Sequence, residues 1–195
     1  FLEVVSPVEE NTTAGRYLDR RSGDGGYMVI IQVDDFSEVQ NTVKENNVTV
    51  VWESEHPEAR AIHLHPKEMG GAILSLDWMN PKESWKWAGP NWDEFVNTST
   101  IKRFVGVEIQ SDDPEGMKSK WQSVLKISPE KVSDHKIDLD NTWIRFVEDK
   151  DGRGPGVSAF CLEANDNKSL KKKADDLGLL HQEDIFIGGV KFLLS

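Results

Sequence analysis

Two histidines, His63 and His65, alternate with Ile62 and Leu64 in the stretch Arg60–Asp77, RAIHLHPKEMGGAILSLD. In an extended strand that spacing puts both imidazoles on one face and both aliphatic side chains on the other. Pro66 has no N–H to give a ladder and ends the strand, while Gly70 and Gly71 suit a tight turn. Past the turn the alternation resumes, with Leu74 and Leu76 on one face and Ile73, Ser75 and Asp77 on the other. Two imidazoles at i, i+2 with the carboxylate of Asp77 could bind zinc or iron. They could equally serve as acid and base on a bound carbonyl compound, with Gln32 on a neighbouring strand. The plainer reading has His65 capping the Pro66 turn and His63 as a solvated strand residue.

A second constellation comes from later strands. Alternation sends Glu108, Gln110, Arg145, Glu163 and Lys191 to one side. Arg145 could clamp a carboxylate or phosphate there, or the charges could form a structural ion-pair network. Cys161 is the only cysteine, so no intrachain disulfide is possible. Between Phe160 and Leu162 it reads as a buried, inert thiol. The glycine-rich stretches GDGG (23–26) and DGRGPG (151–156) lack the Lys-Ser/Thr of a P-loop and the setting of a dinucleotide fingerprint.

The 195 residues carry a formal net charge of −11, which disfavours nucleic acid and anionic membranes as partners. Seven tryptophans and a 37% hydrophobic content fit a globular chain. No apolar run is long enough to span a bilayer, and no secretory leader is visible. These features predict a cytoplasmic protein. The chain starts at Phe1, directly in a strand-like run, which predicts that a piece lies upstream.

These residues must be positioned by a repeating unit. Leu2–Val5 reads as a short strand, and Thr12–Arg21 as one helical turn. Tyr27–Val33 is a strand, Asp34-Asp35 starts a helix through Phe36, Val39 and Val43, and Val48–Glu53 and the hairpin follow. Trp78–Thr100 breaks the pattern with Pro81, Pro90 and four tryptophans, which predicts packing across an interface between two halves. The order then repeats. Ile101–Gln110 is a strand, Asp113-Pro114 starts a helix, and Lys136–Leu139 and Thr142–Glu148 form a hairpin. A further unit begins at Val157–Ala164, continues as a helix after Asp166, and closes with strands near 184–188 and 190–194.

Three stretches carry a resemblance to a known family: RYLDRRSGDGGYMVIIQVDD (16–35), the hairpin RAIHLHPKEMGGAILSLD, and FVGVEIQSDDP (104–114). The chain resembles the vicinal oxygen chelate superfamily (glyoxalase, bleomycin resistance, dioxygenase), nearest to methylmalonyl-CoA epimerase-like modules. The resemblance implies an α+β fold of tandem βαβββ modules, whose U-shaped sheets cup a cleft. The halves would be 1–79, with its first module truncated, and 101–195, joined by the Trp-rich linker 80–100. It also implies a divalent metal, held by a His on the first strand and a Glu or Gln on the last strand of each paired module. Glu3 matches one acidic position. Met28 and Ser75 stand at the next His and Glu positions, Phe104 and Arg145 at the following pair, and Leu193 at the last. A thioether and a hydroxyl replace imidazole and carboxylate poorly, and Arg145 repels a cation. The expectation is therefore a glyoxalase-like protein with a degenerate metal site and no cofactor. It would bind a small organic ligand through Gln32, His63, His65, Ser75, Glu108 and Arg145. The alternative is a metal-dependent isomerase or lyase using zinc, iron, manganese or nickel at His63, His65, Asp77 and Glu3. A missing module leaves an exposed strand edge, which predicts a homodimer.

Overall fold

A computed structural model describes residues 1–195. Three turns of sequence show why the unit repeats. Ile31-Gln32-Val33-Asp34-Asp35, Ile109-Gln110-Ser111-Asp112-Asp113 and Leu162-Glu163-Ala164-Asn165-Asp166 each end a strand and start a helix. In each, the last aspartate is the N-cap, its carboxylate accepting the N–H three residues on, at Glu38, Gly116 or Ser169. That satisfies a donor the helix leaves orphaned and fixes where strand becomes helix.

After a short helix α1 (Thr13–Arg21), the first unit runs β1 (Met28–Gln32), α2 (Phe36–Glu45), β2 (Val50–His56), β3 (Ala59–Leu64) and β4 (Ile73–Met79). Its sheet has the order β1-β4-β3-β2, with β1 parallel to β4. The second unit is β5 (Ile101–Ser111), α3 (Pro114–Val124), β6 (Val132–Ser133), β7 (Lys136–Asp138) and β8 (Trp143–Glu148). The third is β9 (Gly156–Ala164), α4 (Asn167–Asp176), β10 (Leu180–His181), β11 (Asp184–Ile187) and β12 (Val190–Leu194). These two units share one eight-stranded sheet, joined where β5 and β9 run antiparallel. The architecture is α+β, built from βαβββ-type units.

Helices cover one face of each sheet, and a single apolar core lies between the two halves. Ile62, Leu64, Leu74 and Leu76 of the first sheet belong to the same cluster as Val107, Ile109, Ile144 and Phe146 of the second. Trp121 on α3 is fully buried in that cluster and donates its indole N–H to the Met69 carbonyl at 2.7 Å. A second tie is Arg21, 2% exposed, whose guanidinium donates to the carbonyls of Arg153, Gly154 and Pro155.

Two local expectations are corrected. Leu2–Val5 is extended but forms no strand, because no neighbour offers it a ladder. Thr12–Arg21 is not one turn but a nine-residue helix, capped by the Thr12 hydroxyl and anchored by buried Tyr17 and Arg21. The Trp-rich segment touches both halves: Trp78 packs against the shared core, and the Thr98 and Ser99 carbonyls accept from Asn165. Trp85 packs on Ala59 and Met79, on the face of the first sheet away from the helix, and Phe1 stacks on Trp85 at 5.1 Å. Small residues at Ala59 and Ala61 leave that face room for indole rings.

Candidate functional site

The face of the first sheet opposite α2 collects the hairpin residues. Register places His63 directly opposite Ser75, and Asp77 between Ala61 on β3 and Gln32 on β1. Ser75 and Asp77 are 1% and 2% exposed. The Ser75 hydroxyl donates to Asp77 Oδ1 at 2.5 Å, and the Trp87 indole N–H donates to Oδ2 at 2.6 Å. Burial pushes the Asp77 carboxyl above the ordinary carboxylate range. The Ser75 and Trp87 hydrogen bonds oppose this shift, and the charge of Glu3 adds to it.

His63 is half-buried, and its ring lies 4.3 Å from that of Trp52 on the neighbouring strand. Burial lowers its pKa, so the imidazole is neutral near pH 7. No hydrogen bond joins His63 to Ser75. The Ser75 proton points to Asp77, so a nucleophilic serine with an imidazole base is not assembled. His65 lies beyond the end of β3, where its Nδ1 accepts the Lys67 N–H at 3.2 Å and its carbonyl accepts from Glu68 and Met69. It caps the Pro66 turn. Gln32 is exposed and donates to the Lys82 carbonyl at 2.5 Å.

The residues at the family's metal positions do not fit a metal. No group of three or more His, Cys, Asp or Glu side chains comes together at ion-holding distance. Glu3 accepts the Trp85 indole N–H at 3.1 Å, and both Asp77 oxygens already accept protein donors. Met28 and Ser75 supply only a thioether and a hydroxyl.

On the second sheet, Glu108 and Arg145 are register partners joined by an ion pair of 2.9 Å. The Arg145 guanidinium lies 4.6 Å above the Trp143 ring. Gly106 makes this possible, since a Cβ there would come within 2.6 Å of Trp143 Cε3. The other charges are engaged elsewhere. Glu163 pairs with Arg103 and Lys102, which hold its carboxyl below the usual range. Lys191 faces Asp184 at 3.7 Å. Gln110, 3% exposed, donates its amide to Asp149, Asp151 and the Gly154 carbonyl, tying the 149–154 loop. The Cys161 thiol is pushed up to about 12, mainly by burial and then by Glu108, which leaves it unreactive at neutral pH.

Sequence alone missed Trp52 and Trp143 as site residues, while Trp87 stood among linker tryptophans that could form an aromatic ligand wall or pack at an interface. Alternation along β2 was the available signal for Trp52, but its meeting with His63 depends on the β2–β3 register, which shifts at a bulge.

The Asp77 environment predicts a pH effect. The folded state holds the Asp77 proton more tightly than the unfolded chain does. Its contribution to stability is therefore full below the unfolded pKa and is lost as pH rises through the raised folded value. Asp77→Asn stays neutral and escapes that loss. Urea midpoints measured against pH should show wild type falling relative to the variant as pH rises out of the acid range. Parallel curves would contradict the reading.

No family model and no curated protein sequence matches the chain. Solved structures do. A hypothetical protein from Staphylococcus aureus superposes with a TM-score of 0.58 at 13% identity, over 95% of this chain and 73% of that one. The 2,2',3-trihydroxybiphenyl 1,2-dioxygenase of dibenzofuran-degrading Sphingomonas wittichii strain RW1 superposes at 0.53 and 13% identity, over 87% and 70%. The fold is thus of the glyoxalase/dioxygenase type. Identity this low carries the fold and not the chemistry. No helix is long and apolar enough to cross a membrane.

Proposed function

We propose that this protein is a glyoxalase-like binding protein that takes a small organic molecule on the face of the first sheet bearing His63, Ser75 and Asp77. Asp77 carries the reading: a 2% exposed carboxyl, its pKa raised by burial, beside the aromatic rings of the linker. A ligand with a planar apolar body would stack on Trp52 and His63. A hydroxyl or N–H on it would take the place of the Trp87 indole N–H as donor to Asp77. Trp87 is 39% exposed, so it can yield without opening the core. Glu108 and Arg145 on the second sheet are a lesser candidate, since each already satisfies the other. The narrower likeness to methylmalonyl-CoA epimerase-like modules rests on the hairpin and strand motifs and supports a carbonyl-bearing ligand.

The test is a thermal-shift screen of small aromatic and carbonyl compounds, with calorimetry on the hits. His63→Ala and Asp77→Asn should each weaken binding about tenfold, the first by removing a stacking ring and the second an acceptor carboxyl, each worth about 1.4 kcal/mol. Hits that bind both variants as tightly as wild type would overturn the site. Stoichiometric metal required for binding would overturn the metal-free part of the reading.

A further inference from the structure

The sheet face that carries His63, Ser75 and Asp77 offers carboxylates and aromatic rings but no free cation. The one charged side chain that acts on Asp77 is another carboxylate, that of Glu3. Its two donors, Ser75 and Trp87, are neutral. Both lysines of the adjoining linker are committed to other acids: Lys82 lies 2.5 Å from Asp34, and Lys86 lies 3.2 Å from Glu58. Gln32, the register partner of Asp77 on β1, is uncharged and gives its amide to the Lys82 carbonyl. Burial keeps the His63 imidazole neutral. Asp77 is thus a buried acid with no counter-ion, and a buried charge is costly until it is paired.

The aromatic surface lies on the same face, at a fixed offset from this acid. Trp52 is the register partner of His63, and their rings lie 4.3 Å apart. The β3–β4 register sets His63 opposite Ser75 and Ala61 opposite Asp77, so Asp77 stands diagonally across from His63. Such a diagonal spans about 7–8 Å in an antiparallel pair. Ala61 and Ser75, on the crossing diagonal, are small and leave that lane low. Trp87, hydrogen-bonded to Asp77 and 39% exposed, is the group that a ligand displaces to reach the acid. Indole faces carry negative π-density and attract cations, more strongly where water is excluded.

We infer that the molecule taken at this face is an organic cation, an aromatic ring joined through a short two-carbon tether to a protonated amine. The inference rests on the binding site proposed above and names the class of its ligand. The ring stacks on His63 and Trp52, the tether follows the diagonal, and the ammonium replaces the Trp87 indole as donor to Asp77. The ammonium supplies the positive charge that Asp77 lacks, and a hydrogen bond between ions is roughly twice as strong as one between neutral groups. The rings add attraction for a cation and none for an anion. A carboxylate or phosphate in the same place would meet Asp77 and Glu3 with no uncommitted lysine or arginine to offset the repulsion. The net charge of −11 favours the approach of cations as well.

Three compounds of one shape separate charge from ring: 2-phenylethylammonium, 2-phenylethanol and phenylacetate, each titrated calorimetrically into the 195-residue chain at neutral pH. The amine should bind about tenfold tighter than the alcohol, and phenylacetate should give no measurable binding. Asp77→Asn should bring the amine down to the affinity of the alcohol. Trp87→Phe, which removes the competing donor, should tighten the amine. The wild-type comparison stands whether or not the Asp77 variant folds, which circular dichroism reports. An alcohol that matches the amine, and still loses affinity in His63→Ala, overturns the cation and leaves the site standing. An amine whose advantage survives in folded Asp77→Asn overturns it too, since general attraction to an acidic chain does not depend on one carboxylate. Failure of all three to bind overturns the inference, and the broader compound screen then decides the site separately.

Discussion

Trp121→Ala should lower the unfolding free energy by about 3–5 kcal/mol, the range for deleting a large aromatic side chain from a core. Trp121 sits on α3, yet its partners lie in both halves. Its exposure is 0%, its indole N–H donates to Met69 in the turn after β3, and its ring meets the edge of Phe146 on β8 at 5.7 Å. Removing it opens a cavity at the seam and leaves the Met69 carbonyl without that donor, and the two costs add. Guanidinium unfolding followed by circular dichroism gives the number. Trp121→Phe separates the terms, since it keeps most of the volume and loses the hydrogen bond. A loss under about 1 kcal/mol for the alanine variant would mean that the halves are not held by this core.

Gly71→Ala is the second large effect. Gly71 has φ of +103°, outside the region L side chains adopt, and a Cβ there would lie 2.6 Å from the Pro155 carbonyl carbon. Strained backbone costs about 1–3 kcal/mol. The collision adds about 1–3 kcal/mol more, because a backbone group cannot swing aside as a side chain can. Gly70→Ala is the control. Its φ is also positive, at +85°, but the atoms its Cβ would meet belong to the flexible Met117 side chain. Gly70→Ala should therefore cost clearly less in the same denaturation experiment. Equal losses would show that strain alone, and not the approach of the 149–156 loop to the Pro66–Gly71 turn, governs both sites.

The repeating unit was legible because its signals are local. Each capping aspartate sits three residues after its strand's Gln or Glu, and each helix carries its apolar positions at helical spacing. The Pro66–Gly71 turn was legible for the same reason, since proline and glycine act on their own backbone. The Leu2–Val5 strand failed because strand formation needs a neighbour, which no local pattern supplies. Thr12–Arg21 failed in the other direction: burial of Tyr17 and Arg21 against the second half extends a helix whose own apolar content is low.

The candidate site divides along the same line. Sequence by itself determined that Ser75 and Asp77 share one face of their strand and that His63 points away from Ile62 and Leu64, because period-two alternation is a property of any strand. The resemblance also set Met28, Ser75 and Arg145, poor metal ligands, at positions where it implies metal ligands. Only the tertiary structure decided that Trp52 covers His63, that Trp87 reaches from the linker to Asp77, and that burial raises the Asp77 pKa. Only it decided that Arg145 answers Glu108 instead of standing free. Burial, register and the path of a linker are sums over residues far apart in the chain, and no short stretch of sequence contains them.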